Sequence, residues 1–151
     1  MANSLIIVDD DANIHTQVRA FLKEYPVLIK SARNGQEALE LLRAEGPVDL
    51  VLLDLAMPVM DGVLFLEAIR SDRRHSNKAE AAFADSVRNL PVIVISATED
   101  RDEILALKRY HVSGFLMKPV KKEPLMQRVE AVINGPLEKS RFPDIDIMLD
   151  L

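Results

Sequence analysis

The chain has 151 residues, 48% of them hydrophobic and 28% charged, and contains no cysteine. That is the length and composition of one ordinary globular domain, and it excludes thiol nucleophiles, zinc-thiolate sites, iron-sulfur clusters and disulfide staples. A net charge of −5 excludes nucleic-acid wrapping by bulk charge. The first residues carry no basic stretch ahead of an apolar region, and no apolar run approaches the roughly 20 residues that span a bilayer. A cytoplasmic protein with no direct nucleic-acid or membrane partner is expected.

Short apolar runs rich in β-branched residues alternate with segments of helical period, which predicts five strand-then-helix units and a parallel sheet. Strand one is Leu5 to Val8, followed by a helix with Ile14, Val18, Phe21 and Leu22 on one face and Pro26 at its exit. Strand two, Val27 to Ile29, leads through Asn34-Gly35 to a helix carrying Ala38, Leu41 and Leu42 that Gly46-Pro47 stops. Strand three, Leu50 to Leu53, is continuously apolar, as a strand covered on both faces must be. Its helix begins near Asp61-Gly62 and presents Leu64, Phe65, Ala68 and Ile69. Strand four, Pro91 to Ile95, precedes a helix with Ile104, Leu105 and Leu107. Strand five, Gly114 to Met117, precedes one with Leu125, Val129, Val132 and Ile133 that ends at Gly135-Pro136. The fold class is therefore α/β, a three-layer doubly wound sheet.

Two segments break this rhythm. Ser71 to Asn89 is nineteen residues long, against the roughly 2 to 6 of an ordinary helix-to-strand connection. Its first part is polar. Its second, Ala79 to Val87, is alanine-rich with Phe83 and Val87 four apart, and predicts a helical extension. The chain closes on a tail in which Ile145, Ile147, Leu149 and Leu151 recur with period 2. It reads as a β-like arm for a sheet edge or a second subunit of a homodimer, with disorder as the alternative. The domain is placed at residues 1–134, with the connection at 71–89 extended, and the tail at 135–151.

In a doubly wound sheet the ligand crevice lies at the carboxyl ends of the strands. Strand one ends in Asp9-Asp10-Asp11, strand three in Asp54, strand four in Ser96 and strand five in Lys118-Pro119. Three converging carboxylates repel by about 4 kcal/mol per pair at 4 Å and an effective dielectric near 20. They call for a hard divalent cation, Mg²⁺ first, with Lys118 as a further positive charge. Charges of −3, +2 and +1 then cancel, leaving two cations to receive a phosphoryl group. An aspartate nucleophile in that transfer forms an acyl phosphate.

The stretches Leu5 to Asp11, Leu52 to Gly62 (Leu-Leu-Asp-Leu-Ala-Met-Pro-Val-Met-Asp-Gly), Val94 to Ala97 and Phe115 to Pro119 occur in the order of the receiver domain of two-component response regulators, which the chain resembles from about Leu5 to Ile133, with the connection from Ser71 to Asn89 longer than is usual for that family. The resemblance implies a flavodoxin-like (βα)5 sheet of order 2-1-3-4-5 and phosphoryl transfer to Asp54 from a sensor histidine kinase or histidine phosphotransfer protein. It implies Mg²⁺ ligation by Asp10 and Asp54 directly, by Asp9 largely through water, and by the Ala56 backbone carbonyl. Ser96 would be the hydroxyl that turns to the phosphoryl group, Lys118 its ionic partner and Phe115 the aromatic rotamer switch. Phe115 lacks a hydroxyl, so such switching would work by packing, and a plain core role is the alternative. Lys118-Pro119 is expected to be cis.

The family tunes phosphoryl lifetime at the positions of Ala56 and Thr98. Neither carries an acid or amide, so a long-lived phosphate is expected. Asp11 reads as a helix cap, His15, His75 and His111 as surface or structural, and Met57, Met60 and Met117 as core or loop packing. The expected role is a chemotaxis-regulator-like, single-domain switch whose only catalysis is its own phosphorylation and dephosphorylation. It would present the surface of strand five and the two last helices to a downstream protein target or a separate output domain, none being expected within the chain. A non-switching scaffold or dimerisation module keeps the fold without the chemistry. An aspartate-nucleophile phosphatase is disfavoured by Ala56, where a second aspartate is usual. Nucleotide binding is disfavoured by the lack of a glycine-rich phosphate loop.

Overall fold

A computed structural model describes residues 3–71 and 77–135. The parallel sheet has the order β2-β1-β3-β4-β5, formed by β1 (Asn3–Val8), β2 (Val27–Ala32), β3 (Leu50–Leu53), β4 (Val92–Ser96) and β5 (Gly114–Met117). The helices are α1 (Ala12–Phe21), α2 (Gly35–Glu45), α3 (Gly62–Arg70), α4 (Lys78–Val87), α5 (Arg101–Ala106, continued by a 3₁₀ turn to Tyr110) and α6 (Lys122–Asn134). This is the three-layer arrangement and strand order expected. Every residue of β3 and β4 is buried, as central strands between two helical layers must be.

The period-2 alternation of the strands divides the core. Ile6, Val8, Val51, Leu53, Val92, Val94 and Phe115 face α2, α3, α4 and α5. Leu5, Ile7, Leu50, Leu52, Ile93 and Ile95 face α1 and α6. A one-residue slip of any strand would exchange these sets, so both layers fix the register. Each fully buried aliphatic side chain contributes about 1.5–3 kcal/mol relative to exposure.

The apolar face of α3 differs from the expected one. Leu64 is half exposed and Ala68 lies on the surface, while Phe65, Leu66 and Ile69 are buried. Asp61 caps the helix by accepting from Leu64 N–H at 2.9 Å, and Gly62, Phe65, Leu66 and Ile69 form the face turned to the core. In α5, Ile104 and Leu107 are buried but Leu105 is exposed, because a six-residue helix running into a tighter 3₁₀ turn shows only one narrow stripe to the sheet. Met117 is also exposed rather than packed, since it closes the outermost strand.

The long connection contains a complete ten-residue helix, not merely an extension of α3. Asn77 caps α4, accepting from Ala79 N–H at 2.7 Å. Val87 enters the core and Phe83 packs against it. Arg43 of α2 lies 4.1 Å from the Phe83 ring centroid and pairs with Glu80. His75 and the tail arm lie outside the described residues.

Candidate functional site

The strand ends deliver their polar residues to one crevice. Asp9 N–H donates to Ala32 O at 3.1 Å and Asp54 N–H to Val8 O at 2.9 Å, so the sheet ladder itself sets the height of both aspartates. Carboxylate oxygens of Asp9, Asp10 and Asp54 lie within 4.8 Å of one another. Asp9 and Asp54 are buried and Asp10 is exposed. Lys118 Nζ stands 3.0 Å from Asp9 Oδ2 and 3.5 Å from Asp54 Oδ1. Its backbone N–H donates to Ser96 O at 2.9 Å, and the Lys118-Pro119 peptide is cis.

Burial, then the neighbouring Asp9 carboxylate, raise the Asp54 pKa above that of an ordinary aspartate, although Lys118 and the Ala56 N–H pull the other way. Burial opposes the Lys118 ammonium, but Asp9 and Asp54 outweigh it and hold its pKa above the usual lysine value. Folded Asp54 thus binds its proton more tightly than unfolded Asp54. Its ionisation at neutral pH works against the fold, and this contribution to stability improves as pH falls through the folded-state pKa. In metal-free buffer at pH 7, Asp54→Asn is expected to be more stable than wild type by about 1 kcal/mol. Urea midpoints in EDTA measure it, and an unchanged or lower midpoint would refute the assigned strain.

The donor set suits a hard cation. It is made of oxygen alone, and the three carboxylates of Asp9, Asp10 and Asp54 face the single Lys118 ammonium, an imbalance that a bound divalent ion relieves. Asp9 Oδ1 accepts from Asp11 N–H at 2.9 Å. Asp11 caps α1 by accepting from Asn13 N–H. Ala56 lines the same cleft as Asp10, Asp54, Ser96 and Lys118, a space of about 640 Å³.

Ser96 is buried, and its Oγ accepts from Thr98 N–H at 3.1 Å. Phe115 is 2% exposed and sits in the core layer under α5, so an outward rotamer would have to leave that packing. His15 is structural, its ring nitrogens 2.7 Å from Asp9 O and 3.1 Å from Ser31 Oγ, and His111 is exposed.

Two residues have a place in the site that the sequence does not explain. Gly62 reads in the sequence as part of a helix start, but a Cβ there would stand 2.4 Å from Asp54 O. The backbone behind Asp54 therefore leaves no room for a side chain. Glu103 lines the cleft from α5 and accepts from the Thr98 hydroxyl; no sequence signal distinguishes it from other first-turn acids.

A family model described as the response regulator receiver domain matches residues 5–130. The chain belongs to this family of two-component signalling domains. The receiver is 27% identical to chemotaxis protein CheY of Pseudomonas aeruginosa, over 87% of this chain and 98% of that protein. It is 32% identical to the Regulator of RpoS of Escherichia coli K12, over 99% of this chain and 42% of that protein. With the protein-glutamate methylesterase/protein-glutamine glutaminase of Geobacillus kaustophilus it shares 35% identity, over 76% of this chain and 30% of that protein. The receiver thus spans nearly all of one relative and less than half of the other two. In structure it is similar to chemotaxis response regulator CheY4 of Vibrio cholerae, with a TM-score of 0.69 and 23% identity over 87% of this chain and 99% of that one. Among the described residues no helix is long and apolar enough to cross a membrane.

Proposed function

We propose that this receiver accepts a phosphoryl group on Asp54 from a histidine kinase or histidine phosphotransfer protein and thereby changes a surface read by a downstream protein. The observation that carries the reading is the buried Asp54 carboxylate held between Asp9, Asp10 and the Lys118 ammonium. An Asp54 oxygen attacks phosphorus, the bond from phosphorus to the donor histidine nitrogen breaks, and the nitrogen keeps the electron pair. Lys118 stays protonated throughout and neutralises charge on the transferred group. Mg²⁺ would be held by Asp10 and Asp54 directly, by Asp9 through water and by the Ala56 carbonyl; bound there, it supplies positive charge to the phosphoryl oxygens.

Ser96 then turns its hydroxyl from the Thr98 amide toward the phosphoryl group, and repacking at Phe115 carries the change to α5, β5 and α6. Ala56 and Thr98 leave no free acid or amide of their own beside the phosphoryl group, which favours a long-lived phosphate. Glutamate at either position is expected to shorten that lifetime. The domain works in the cytoplasm, as a single-domain regulator or as the receiver part of a longer protein.

Incubation with Mg²⁺ and acetyl phosphate, followed by intact mass measurement, tests the reading. A phosphoryl mass increment is expected in wild type and not in Asp54→Asn. No increment on a folded wild-type protein would leave the non-switching scaffold as the better description.

A further inference from the structure

We infer that Glu103, acting through Thr98, is a positioning residue that holds the Ser96 hydroxyl in its resting orientation and so sets how readily the site accepts a phosphoryl group. This rests on the reading of Ser96 as the hydroxyl that engages that group.

The hydrogen bonds around the turn after β4 form a closed set. Thr98 N–H donates to Ser96 Oγ at 3.1 Å. The Thr98 hydroxyl accepts from Asp100 N–H at 3.1 Å and donates to Glu103 Oε2. Asp100 Oδ1 in turn accepts from Asp102 N–H at 2.9 Å and Glu103 N–H at 3.3 Å. The Thr98 backbone is thereby tied to the first turn of α5 through its own side chain. Ser96 is fixed on its other side, where its carbonyl accepts from Lys118 N–H at 2.9 Å. With the Ser96 backbone held by β5, its side chain is the part free to change partners.

Turning Oγ toward Asp54 forfeits the Thr98 N–H bond. Whatever keeps that amide in place therefore favours the resting orientation, and by linkage it weakens binding of any ligand that needs the other one. Thr98 is half-buried and Glu103 exposed, so removing either side of the clamp does not open a cavity in the core. The same two residues line the cleft with Asp54 and Lys118, which places the clamp at the mouth of the phosphoacceptor site.

The test uses the full chain, Mg²⁺ and beryllium trifluoride, a mimic of an aspartyl phosphate, with affinity followed by ¹⁹F NMR. Amide exchange over residues 97–103 is measured in parallel on the metal-free protein. Thr98→Val removes the hydroxyl and keeps the Glu103 charge; Glu103→Ala removes the acceptor. Both are expected to bind the mimic roughly fivefold to tenfold more tightly and to exchange these amides faster. Thr98→Ser and Glu103→Gln keep an acceptable hydrogen bond and are expected to match wild type in both measurements.

Equal affinity for wild type, Thr98→Val and Glu103→Ala would overturn the inference. So would a gain in Glu103→Gln as large as in Glu103→Ala, which would mark simple charge repulsion. If wild type fails to bind the mimic, the phosphoacceptor reading fails. Exchange in the metal-free protein still decides the clamp, and identical rates in all the variants would refute it.

Discussion

Lys118→Met is expected to destabilise the metal-free protein by about 3 kcal/mol at pH 7, because it leaves two buried carboxylates facing each other without their cation. Asp9 is 2% exposed and Asp54 5%, so water does not screen the repulsion that Lys118 offsets at 3.0 and 3.5 Å. Three features separate this loss from a packing defect. It should shrink as pH falls and Asp54 takes up a proton. It should shrink when Mg²⁺ is added. And it should be smaller in Asp54→Asn than in wild type, a coupling of about 1–2 kcal/mol in a double-mutant cycle. Additive effects of the two substitutions in urea denaturation would contradict the shared electrostatic site. The raised Lys118 pKa gives the complementary limit: its stabilisation is complete below the unfolded lysine pKa and disappears as pH rises through the folded one. The same substitution should slow phosphorylation by acetyl phosphate roughly 100-fold, the usual effect of removing one charge-stabilising donor from a transfer site.

The acidic crevice was legible in the sequence for a physical reason. In a parallel sheet buried on both faces, each strand is a short apolar run, and the first polar residue after it marks the crevice. Asp9, Asp54 and Lys118 directly follow such runs, and Ser96 closes one. The layers of the core were legible too, since Leu5 to Val8, Leu50 to Leu53 and Val92 to Ile95 are unbroken apolar runs. Side chains whose placement depends on contacts made later in the chain were not. Leu64 and Leu66 both fit an apolar stripe on α3, and packing against the sheet buries Leu66 with Phe65 and Ile69 while Leu64 stays half exposed. Glu103 is one acid among several in Glu99-Asp100-Arg101-Asp102-Glu103, and its distinction arises when the turn folds back on Thr98. Gly62 marks a helix start in the sequence, while its real constraint is the approach of the Asp54 backbone carbonyl. The connection at 71–89 gave a helical pattern from Ala79 but no sign of what satisfies the carbonyls at the end of α4, because that residue lies before the connection.

That residue is Arg70, the last of α3. Its guanidinium donates to Tyr110 O at 2.8 Å, Val87 O at 3.3 Å, Arg88 O at 2.8 Å and Leu90 O at 2.7 Å. The Val87 and Arg88 carbonyls end α4, the Tyr110 carbonyl ends the 3₁₀ turn after α5, and Leu90 leads into β4. Helix ends leave carbonyls without partners, and one fork of planar donors supplies them for two elements at once. Burial lowers the Arg70 pKa to about 10, which still leaves it charged at neutral pH, where the four carbonyls favour the cation further. Arg70→Met preserves much of the apolar stem and removes every donor, so several part-buried carbonyls lose their partner together. A loss of about 3 kcal/mol is expected. Arg70→Lys should recover only part of it, since one ammonium cannot reach four acceptors set around a planar fork. Hydrogen exchange distinguishes this from general weakening: amides of α4 and of residues 107–111 should lose protection before those of β1 and β3. Uniform loss of protection across the sheet would show that Arg70 supports the core as a whole rather than these two helix ends.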